Sequence, residues 1–450
     1  MAIDGQLAEV LGAAAERDRV PGAAAGLLVD GECYTASYGV TNVDHPIEVD
    51  ADTLFQVGSI TKTLTSAAVM LLVEEGRLAL DDPVARHLPD LAARTGLDLD
   101  AITIEHLLSH QAGFDGDHLF VTRSQHLDAL AHARRLFPPG AGYSYNNAAF
   151  SIAGAVIEAV SRSPFATFAR NRLLRPLGMK TACFRADDAI THRVAAPHLV
   201  LGDGCAVLRR VGWQPGWQLA PVDWPAAGLI ASINHLLAWC RFQLSGAAAD
   251  GTRLLAPESL TRLHTAVVTA NLTEDIALDW SVRRHGAVTT IGHDGVTVGY
   301  NSQLVIAPER GVAIVCLTHS TNGGAVNDSV RRWALRQFTD ADVDDPEPDP
   351  SLTIDPAKLA GQFLSPFALL SVTAGDAPGT VTVAGARRTD VDDDGWKPPP
   401  DPPITFAFFA SDHAVSVDAP GPARILRCNL GAERDADWVQ WGGRLSPRIS

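Results

Sequence analysis

Residues 55–62 read Phe55-Gln56-Val57-Gly58-Ser59-Ile60-Thr61-Lys62 and place a serine three residues before a lysine. The residues that follow, 63–72, are TLTSAAVMLL, and their apolar side chains predict a buried helix. Side chains at positions i and i+3 share one face of a helix. We therefore expect Ser59 Oγ and Lys62 Nζ to project into the same space at the start of this helix.

This pair has the chemistry of an activated nucleophile. A serine hydroxyl attacks a carbonyl readily only after a neighbouring base takes its proton, and a lysine is such a base when burial or nearby cations lower its pKa. The positive end of the helix dipole disfavours an ammonium in the first turn. The free N–H groups at that end can stabilise an oxyanion. One short segment can therefore supply a nucleophile, a base and half of an oxyanion hole.

The S-x-x-K pattern alone is weak, because a helix-capping serine beside a solvated lysine gives the same letters. A second segment strengthens it. Residues 138–147 read PPGAGYSYNN, a Pro/Gly turn that precedes an apolar stretch with helical spacing. Tyr145 and Asn147 therefore lie immediately before a buried helix. A tyrosine near a lysine can relay protons, and an asparagine can donate a hydrogen bond to a substrate carbonyl.

A third segment, residues 291–295, reads IGHDG and precedes Val/Ile-rich runs on both sides of residues 308–311. These runs predict two antiparallel strands joined by a turn, with His293 and Gly295 near the end of the strand before them. Glycine lets a backbone approach a ligand closely. A histidine at this position can hydrogen-bond a carboxylate or the reacting group.

In this order and separation the three segments resemble the serine β-lactamase and penicillin-binding-protein superfamily. The closer resemblance is to its class C branch, which includes D-aminopeptidases, D-alanyl-D-alanine carboxypeptidases, β-lactamase-like esterases and penicillin-binding-protein-type thioesterases. The resemblance covers roughly residues 5–335. It implies an α+β fold with a β-lactamase/transpeptidase-like domain, in which a mixed sheet is flanked by helices and accompanied by a helical region.

The resemblance also implies a role for each matching residue. Ser59 corresponds to the acyl-accepting nucleophile, Lys62 to its base or proton relay, and Tyr145 to the proton shuttle to the leaving group. His293 takes the position of the lysine in the K-T-G triad, which is typical of the family's peptidases and esterases and argues against an efficient β-lactamase. The substrate-binding positions implied in the same way are Asn147 for the substrate amide, Gly295, and Val296, whose N–H would complete the oxyanion hole with that of Ser59.

Two further groups of side chains invite a functional interpretation. His106 and His110 lie four residues apart, as zinc ligands on a helix face do, but without the glutamate of a metalloprotease, and we expect no metal. Trp213, Trp217 and Trp224 occupy a segment spaced by Gly and Pro. They either pack under a long loop or form an apolar wall of the substrate cleft.

Composition indicates an ordinary globular enzyme. The 450 residues carry a net charge of −16, which argues against nucleic acid or an anionic membrane as the main partner. The six cysteines form no CxxC pair, so neither a disulfide scaffold nor a thiolate zinc site is expected. Residues 1–9 lack the basic and apolar regions of a signal peptide, and no apolar run reaches the ~18 residues of a membrane span. We therefore expect a cytoplasmic enzyme that needs no cofactor.

The chain is expected to divide in its Asp/Pro-rich segment 339–351, TDADVDDPEPDPS, which has the composition of an exposed linker. We predict a serine hydrolase domain over residues 1–338. Over residues 352–450 short Val/Phe/Ile runs alternate with Gly, Pro and Asp, which predicts a small antiparallel β domain. This tail resembles the lipocalin-like barrels of several class C-like hydrolases, and the sequence assigns no chemistry to it.

These features predict a serine hydrolase or acyltransferase that forms an acyl-enzyme on Ser59 and acts on ester, thioester or D-residue peptide substrates. The substrate is a small molecule or a peptide, and a carrier protein is one way to present it. A thioesterase that cyclises nonribosomal peptides fits the H-x-G triad and the extra β domain, and a D-aminopeptidase fits the triad. A D-Ala-D-Ala carboxypeptidase or a β-lactamase fits least, because both act outside the cytoplasm.

Two rivals come from other classes of protein. A non-catalytic binding protein could keep this fold, although the intact set of Ser59, Lys62 and Tyr145 argues against it. A lipase-like α/β-hydrolase is a weaker rival, because the sequence has no G-x-S-x-G nucleophile elbow.

Overall fold

The computed structural model describes residues 2–116, 123–201, 204–208, 217, 219–365, 368–387, 402–419, 423–430 and 435–450. Within them the α-helices are α1 (Ile3–Arg17), α2 (Thr61–Glu74), α3 (Val84–His87), α4 (Pro89–Arg94), α5 (Ile104–Leu108), α6 (Arg123–Ala131), α7 (Asn147–Ser161), α8 (Phe165–Ala169), α9 (Ala186–Ala189), α10 (Trp224–Ala227), α11 (Ile233–Ser245), α12 (Pro257–His264) and α13 (Gly323–Thr339).

The strands are β1 (Gly22–Val29), β2 (Glu32–Gly39), β3 (Phe55–Gln56), β4 (His198–Leu201), β5 (Gly204–Val207), β6 (Ile230–Ala231), β7 (Val268–Asn271), β8 (Glu274–Ile276), β9 (Ser281–His285), β10 (Val288–Thr297), β11 (Tyr300–Ala307), β12 (Val312–Thr318), β13 (Gly361–Leu364), β14 (Ala368–Ala374), β15 (Thr380–Arg387), β16 (Ile404–Ala410), β17 (His413–Ser416), β18 (Ile425–Cys428), β19 (Trp438–Trp441) and β20 (Arg444–Pro447).

The larger N-terminal part is built on an eight-stranded sheet with the strand order β2-β1-β12-β11-β10-β9-β8-β7. Strands β1 and β12 are buried at every position, which explains their continuous apolar composition. Helices α1 and α13 pack on one face, where Leu7 and Val330 share a core with Ile314. On the other face Ile233 and Leu237 of α11 share a core with Val315.

The sheet differs in one respect from the mixed sheet that the sequence predicts. All of its described pairings are antiparallel. The physical reason is that successive strands from β7 to β12 follow one another directly as hairpins, and short connections join antiparallel strands only. The N-terminal hairpin β1/β2 closes the edge by pairing β1 with β12, as in Gly26 opposite Val315.

Helix α2 lies at the centre of the helical region. It is buried at every residue from Thr61 to Leu72 and packs against α7 and α10. A helix that is buried all round needs no polar face, which is why residues 63–72 are apolar or small. Among the described helices, none has the length and apolarity that a bilayer crossing requires.

The C-terminal strands form a second antiparallel eight-stranded sheet with the sequential order β13 to β20. A bridge between Phe363 and Arg448 joins its first strand to the residue after its last one, so the sheet is nearly a closed barrel. Phe363, Phe406 and Val439 lie in its core. The α+β fold with a barrel-like C-terminal sheet is therefore confirmed, while the domain boundaries at residues 338 and 352 stay a prediction.

The turn between β19 and β20 reaches the helical region of the N-terminal part. The backbone N–H of Tyr145 donates to the carbonyl of Gly443 at 2.9 Å, and Gln440 Nε2 donates to the carbonyl of Tyr143, also at 2.9 Å. The N–H of Leu445 donates to Ser144 Oγ at 3.1 Å. The barrel is therefore docked on the segment that carries Tyr145.

Candidate active site

Ser59 lies in a 3₁₀ turn, Gly58–Ile60, that leads directly into α2. Gly58 has a φ of +52°, and a Cβ at this position would lie 2.9 Å from the backbone nitrogen of Val296. The turn can therefore pack backbone to backbone against strand β10 only because position 58 is glycine. Thr61 Oγ1 donates to the carbonyl of Gly58 at 2.6 Å and secures the turn.

Lys62 lies in the first turn of α2 with its side chain completely buried. Its Nζ donates to Ser59 Oγ at 2.9 Å and to the carbonyl of Ala226 at 2.8 Å. The i, i+3 spacing thus brings the hydroxyl and the amine into direct contact. A serine hydroxyl in contact with a buried amine has the arrangement that proton abstraction requires.

Tyr145 lies in the loop before α7, with the centre of its ring 4.7 Å from Lys62 Nζ. Asn146 caps the helix, because its Oδ1 accepts from the N–H of Ala149 at 3.0 Å. Asn147 is the first residue of α7 and is buried. The structure therefore brings Tyr145 next to Lys62, and the capping function belongs to the neighbour of Asn147.

His293, Gly295 and Val296 lie on strand β10, beside the serine turn. The His293 ring centre is 6.2 Å from that of Tyr145. A Cβ at Gly295 would lie 2.0 Å from the carbonyl oxygen of Val57, so glycine is required here by packing against the chain itself. Val296 is 63% exposed, and its backbone nitrogen borders the turn that carries Ser59.

A completely buried carboxylate, that of Asp279, stands behind His293. His293 Nε2 lies 3.4 Å from Asp279 Oδ2, and His110 Nε2 lies 3.0 Å from Asp279 Oδ1. Burial is the largest single effect and lowers the pKa of His293, but the charge and close contact of Asp279, with the carbonyl of Asp294, together make the net shift upward. Burial would raise the pKa of Asp279, yet His293 and His110 together hold that pKa below its usual value.

Sequence reasoning missed three residues at this site. Asp279 has a visible signal, since it is a lone acid in the apolar stretch 276–280, IALDW. His110 drew attention only as a candidate metal ligand, and the structure gives both of its ring nitrogens protein partners. Arg444, from the barrel, lies with its guanidinium carbon 4.7 Å from the ring centre of Tyr145. No local sequence pattern in the barrel predicts that contact.

The two histidines that the sequence pairs at i and i+4, His106 and His110, each have a protein partner at a ring nitrogen. His106 Nδ1 accepts from the N–H of Thr103 at the start of α5. Among the described residues, no group of three or more His, Cys, Asp or Glu is arranged to hold a metal ion.

Of the three predicted tryptophans, Trp213 lies outside the described residues. Trp217 Nε1 donates to the hydroxyl of Tyr300 at 2.6 Å, and Trp224 Nε1 donates to the carbonyl of Leu219 at 3.1 Å. Both rings are partly buried against the main core. Trp217 also lines a small pocket with Phe184 and Gly228. Packing thus accounts for both side chains, and a part in substrate binding stays a proposal.

Comparison with known proteins found a matching family model and similar proteins. The sequence model of the Beta-lactamase family matches residues 7–337. Penicillin-binding protein 4 of Amycolatopsis lactamdurans is 30% identical over 365 residues, which are 76% of this chain and 93% of that protein. The crystal structure of SurE with D-Leu is 25% identical, covers 99% of both chains and superposes with a TM-score of 0.74.

A fungal relative is also similar over the N-terminal part. Unguisins hydrolase ungD' of Aspergillus campestris is 26% identical over 343 residues, 71% of this chain. The match spans 62% of the fungal protein, so the chain covers less than two thirds of that relative.

Proposed function

The chain belongs to the Beta-lactamase family and is a serine hydrolase of it, and on that premise we propose that it forms an acyl-enzyme on Ser59. Its substrates are esters, thioesters or peptides with a D-configured residue at the carbonyl that Ser59 attacks. The observation that carries the proposal is the 2.9 Å contact between Lys62 Nζ and Ser59 Oγ, with Lys62 fully buried. A binding protein without chemistry has no use for a buried amine on a serine hydroxyl.

The reaction begins when Ser59 Oγ attacks the substrate carbonyl and its proton passes to a neutral Lys62 across their contact. The negative oxygen that develops is bound by the backbone N–H groups of Ser59 and Val296. Tyr145, beside Lys62, relays the proton to the leaving oxygen, sulfur or nitrogen as its bond to the carbonyl carbon breaks. Water or an amine then attacks the acyl-enzyme, returns a proton through the same groups and frees Ser59.

The finer substrate proposal rests on likeness over the whole chain. SurE, whose structure was solved with D-Leu, covers 99% of this chain, the barrel included. We therefore favour a peptidyl substrate with a D-residue at the acyl position, presented as a thioester on a carrier protein and released by hydrolysis or cyclisation. The similarity to Penicillin-binding protein 4 favours a second activity, slow acylation of Ser59 by β-lactams. The six free thiols support action in a reducing compartment, the cytoplasm.

The covalent intermediate is tested by labelling with a fluorophosphonate and with a penicillin, read by intact mass. Wild-type protein should gain one adduct per chain, and Ser59→Ala should gain none while keeping its fold. The matched control is Ser66→Ala, in the same helix, because Ser66 Oγ is buried and has no hydrogen-bond partner among the described residues. Equal labelling of Ser59→Ala would refute the assignment, and an unlabelled wild type would favour the non-catalytic binding protein.

The substrate class is tested by comparing kcat/KM for a p-nitrophenyl ester, a peptidyl thioester with a C-terminal D-residue, its L-epimer and a chromogenic cephalosporin. We expect the ester and the D-thioester to turn over, the L-epimer to react more slowly, and the cephalosporin to acylate without rapid release. His293 stands where an efficient β-lactamase of this superfamily carries lysine, which is the reason for the last expectation. A cephalosporin that is preferred by an order of magnitude would replace this proposal with a β-lactamase.

A further inference from the structure

Two residues beside the site adopt the left-handed backbone conformation that is unfavourable for side chains with a Cβ. His110 has a φ of +58° and Asp279 a φ of +70°. Their side chains are 1% and 0% exposed and are hydrogen-bonded to each other at 3.0 Å. Such conformations are strained and persist at functional sites where the surroundings impose them. Because two such residues are joined by one buried hydrogen bond, we infer that the contact between His110 and Asp279 serves the active site.

On one side, His110 holds the loop of Tyr145 at three points. The carbonyl of His110 accepts from the N–H of Ser144 at 3.1 Å, and its Nδ1 accepts from the N–H of Asn146 at 3.0 Å. Its ring lies 4.3 Å from the ring of Tyr145, centre to centre. Because Nδ1 accepts a hydrogen bond, the ring proton is on Nε2 and is donated to Asp279. A neutral His110 therefore links Asp279 to the loop of Tyr145, so the position of Tyr145 depends on that of Asp279.

On the other side, Asp279 faces His293, whose two ring nitrogens both meet acceptors. Nδ1 lies 2.5 Å from the carbonyl oxygen of Asp294, and Nε2 lies 3.4 Å from Asp279 Oδ2. Among the described residues Asp279 Oδ2 has no hydrogen-bond partner by geometry, so its contact with Nε2 is that of an ion pair. An ionised carboxylate at this distance favours a proton on Nε2 beside the one that Nδ1 donates to the carbonyl, and hence the imidazolium form of His293. One carboxylate thus supports a neutral histidine behind Tyr145 and a charged histidine at the edge of the site.

We propose that Asp279 is a positioning residue that couples the two sides of the active site, fixing Tyr145 through His110 and keeping His293 charged towards the substrate. The proposal rests on the proposed function, since it assigns Tyr145 and His293 to catalysis. The contacts described for the Asp279 side chain are those with His110 and His293, and it acts through these two histidines. The charge on His293 would serve to hold a substrate carboxylate or carbonyl oxygen.

Other charged groups act on His293 as well, and they set the direction of its titration. Lys62 on α2 and His110 beyond α5 are the basic neighbours, while Asp294 on β10 contributes its carbonyl. The ion pair of Glu274 and Arg283 on β8 and β9 lies behind them. The Asp279 carboxylate opposes burial and raises the pKa of His293. Removal of its charge should therefore lower that pKa, because burial and Lys62 both disfavour the imidazolium.

The test uses two variants of the full chain with a matched control. Asp279→Asn keeps the size of the side chain and removes the charge, and Asp279→Gly also removes the strain of the positive φ. The control is Asp30→Gly, at an exposed turn residue with a φ of +52°. We expect both Asp279 variants to lose about 10²-fold in kcat/KM, as misplaced catalytic groups do. Asp279→Gly should keep or raise the melting temperature, and Asp30→Gly should keep wild-type kcat/KM.

The second measurement is the titration of His293, followed by NMR with ¹⁵N-labelled histidine and assigned with His293→Gln. If Asp279 only stabilised the fold, its substitution would leave the midpoint of this titration unchanged. We expect the midpoint of His293 in Asp279→Asn to shift to lower pH, with the descending limb of the pH–rate profile shifting in the same direction. Equal midpoints in wild type and Asp279→Asn, or wild-type kcat/KM in Asp279→Gly, would overturn the proposal. The NMR titration does not depend on labelling of Ser59, so failure of the acyl-enzyme proposal is recognised separately.

Discussion

Lys62 is among the largest side chains that the protein removes completely from water. Its amine lies between Ser59 Oγ, the carbonyl of Ala226 and the rings of Tyr145 and Phe150. Burial of an amine that can ionise costs free energy, which a stable fold avoids unless the group is needed. Over its buried part, from Thr61 to Leu72, the helix that carries Lys62 is otherwise apolar or small. We take the burial of this one amine as the clearest sign of catalytic chemistry among the individual side chains.

The first prediction concerns Lys62 and Tyr145 as one proton-transfer unit. Lys62→Met and Tyr145→Phe should each lower the rate of acylation by about 10²–10⁴-fold, the range for a general acid–base group. The double variant should lose little more than the worse single variant, because each group is useless without the other. Rapid-quench measurement of the acyl-enzyme gives these rates.

The matched control for that measurement is Tyr143→Phe, two residues earlier in the same loop. Tyr143 is buried in a small core with Ala270 and Ile276, so its ring serves packing and its hydroxyl should be dispensable. We expect this variant to acylate at close to the wild-type rate. Losses that add fully in the double variant would show that Lys62 and Tyr145 act independently.

The sequence predicted the contact between Ser59 and Lys62 because it is local. Residues three apart at the start of a helix must approach each other, whatever the rest of the chain does. The bridge between His110 and Asp279 joins residues that are 169 positions apart. Its existence depends on the docking of β8 and β9 against the loop after α5, and no period or spacing of side chains records that docking.

At the scale of elements, the strands around His293 follow from their sequence. The runs on both sides of residues 308–311 form β11 and β12, as the Val/Ile pattern predicts, and His293 and Gly295 lie near the end of β10. The pairing of β1 with β12 could not be predicted in the same way. It joins strands nearly three hundred residues apart in sequence, and strand pattern specifies which side chains are buried but not which strand becomes the neighbour.

The second prediction concerns the hairpin of β19 and β20, where the barrel meets the catalytic loop. Arg444→Leu should lower kcat/KM about tenfold, because a cation over an aromatic ring contributes about 1–2 kcal/mol when partly desolvated, and here it orients the ring of Tyr145. Arg424→Leu, at an exposed arginine of the same sheet region, is the matched control and should have no effect. Steady-state kinetics with a p-nitrophenyl ester measure both.

The outcome of this comparison bears on the barrel as a whole. An Arg444→Leu enzyme as active as the control would mean that the barrel only packs against the loop. A selective loss would mean that the C-terminal sheet takes part in building the site, a role that no sequence pattern of the barrel predicts. The melting temperature of Arg444→Leu should fall only slightly below that of the control, since Arg444 lies at the turn and not in the barrel core.

At the scale of the whole molecule, buried histidines tie distant parts of the chain together. His319, after β12, contacts His198 through their Nδ1 atoms at 2.8 Å and reaches the carbonyl of Val40 at 2.9 Å. His235 caps α11 together with Ser232, and its Nε2 lies 3.1 Å from Thr181 Oγ1, 54 residues earlier in the chain. These rings are held in their neutral form by burial. In acid these histidines would therefore bind protons once unfolding exposes them to water.

The last prediction follows from the pKa values of these histidines. Burial lowers the pKa of His319 to about 3, and it lowers the pKa of His235 and of His264 to about 4. In the unfolded chain a histidine has a pKa of about 6.5. Between these values the unfolded state binds protons that the folded state cannot. The free energy of unfolding should therefore be highest above pH 6.5 and should fall as the pH decreases towards 4.

Each such histidine contributes a slope of up to about 1.4 kcal/mol per pH unit within that window. Denaturant unfolding at a series of pH values from 4.5 to 7.5 measures the total slope. His235→Gln should reduce it by about one histidine's share, while His45→Gln, at an exposed loop residue, should leave it unchanged. If the slope of His235→Gln equals that of wild type, His235 is not held neutral in the folded protein. The acid sensitivity would then arise from the other buried histidines, His319 and His264. Buried carboxylates such as Asp279, whose pKa is lowered below its usual value, lose their stabilising contribution only at lower pH.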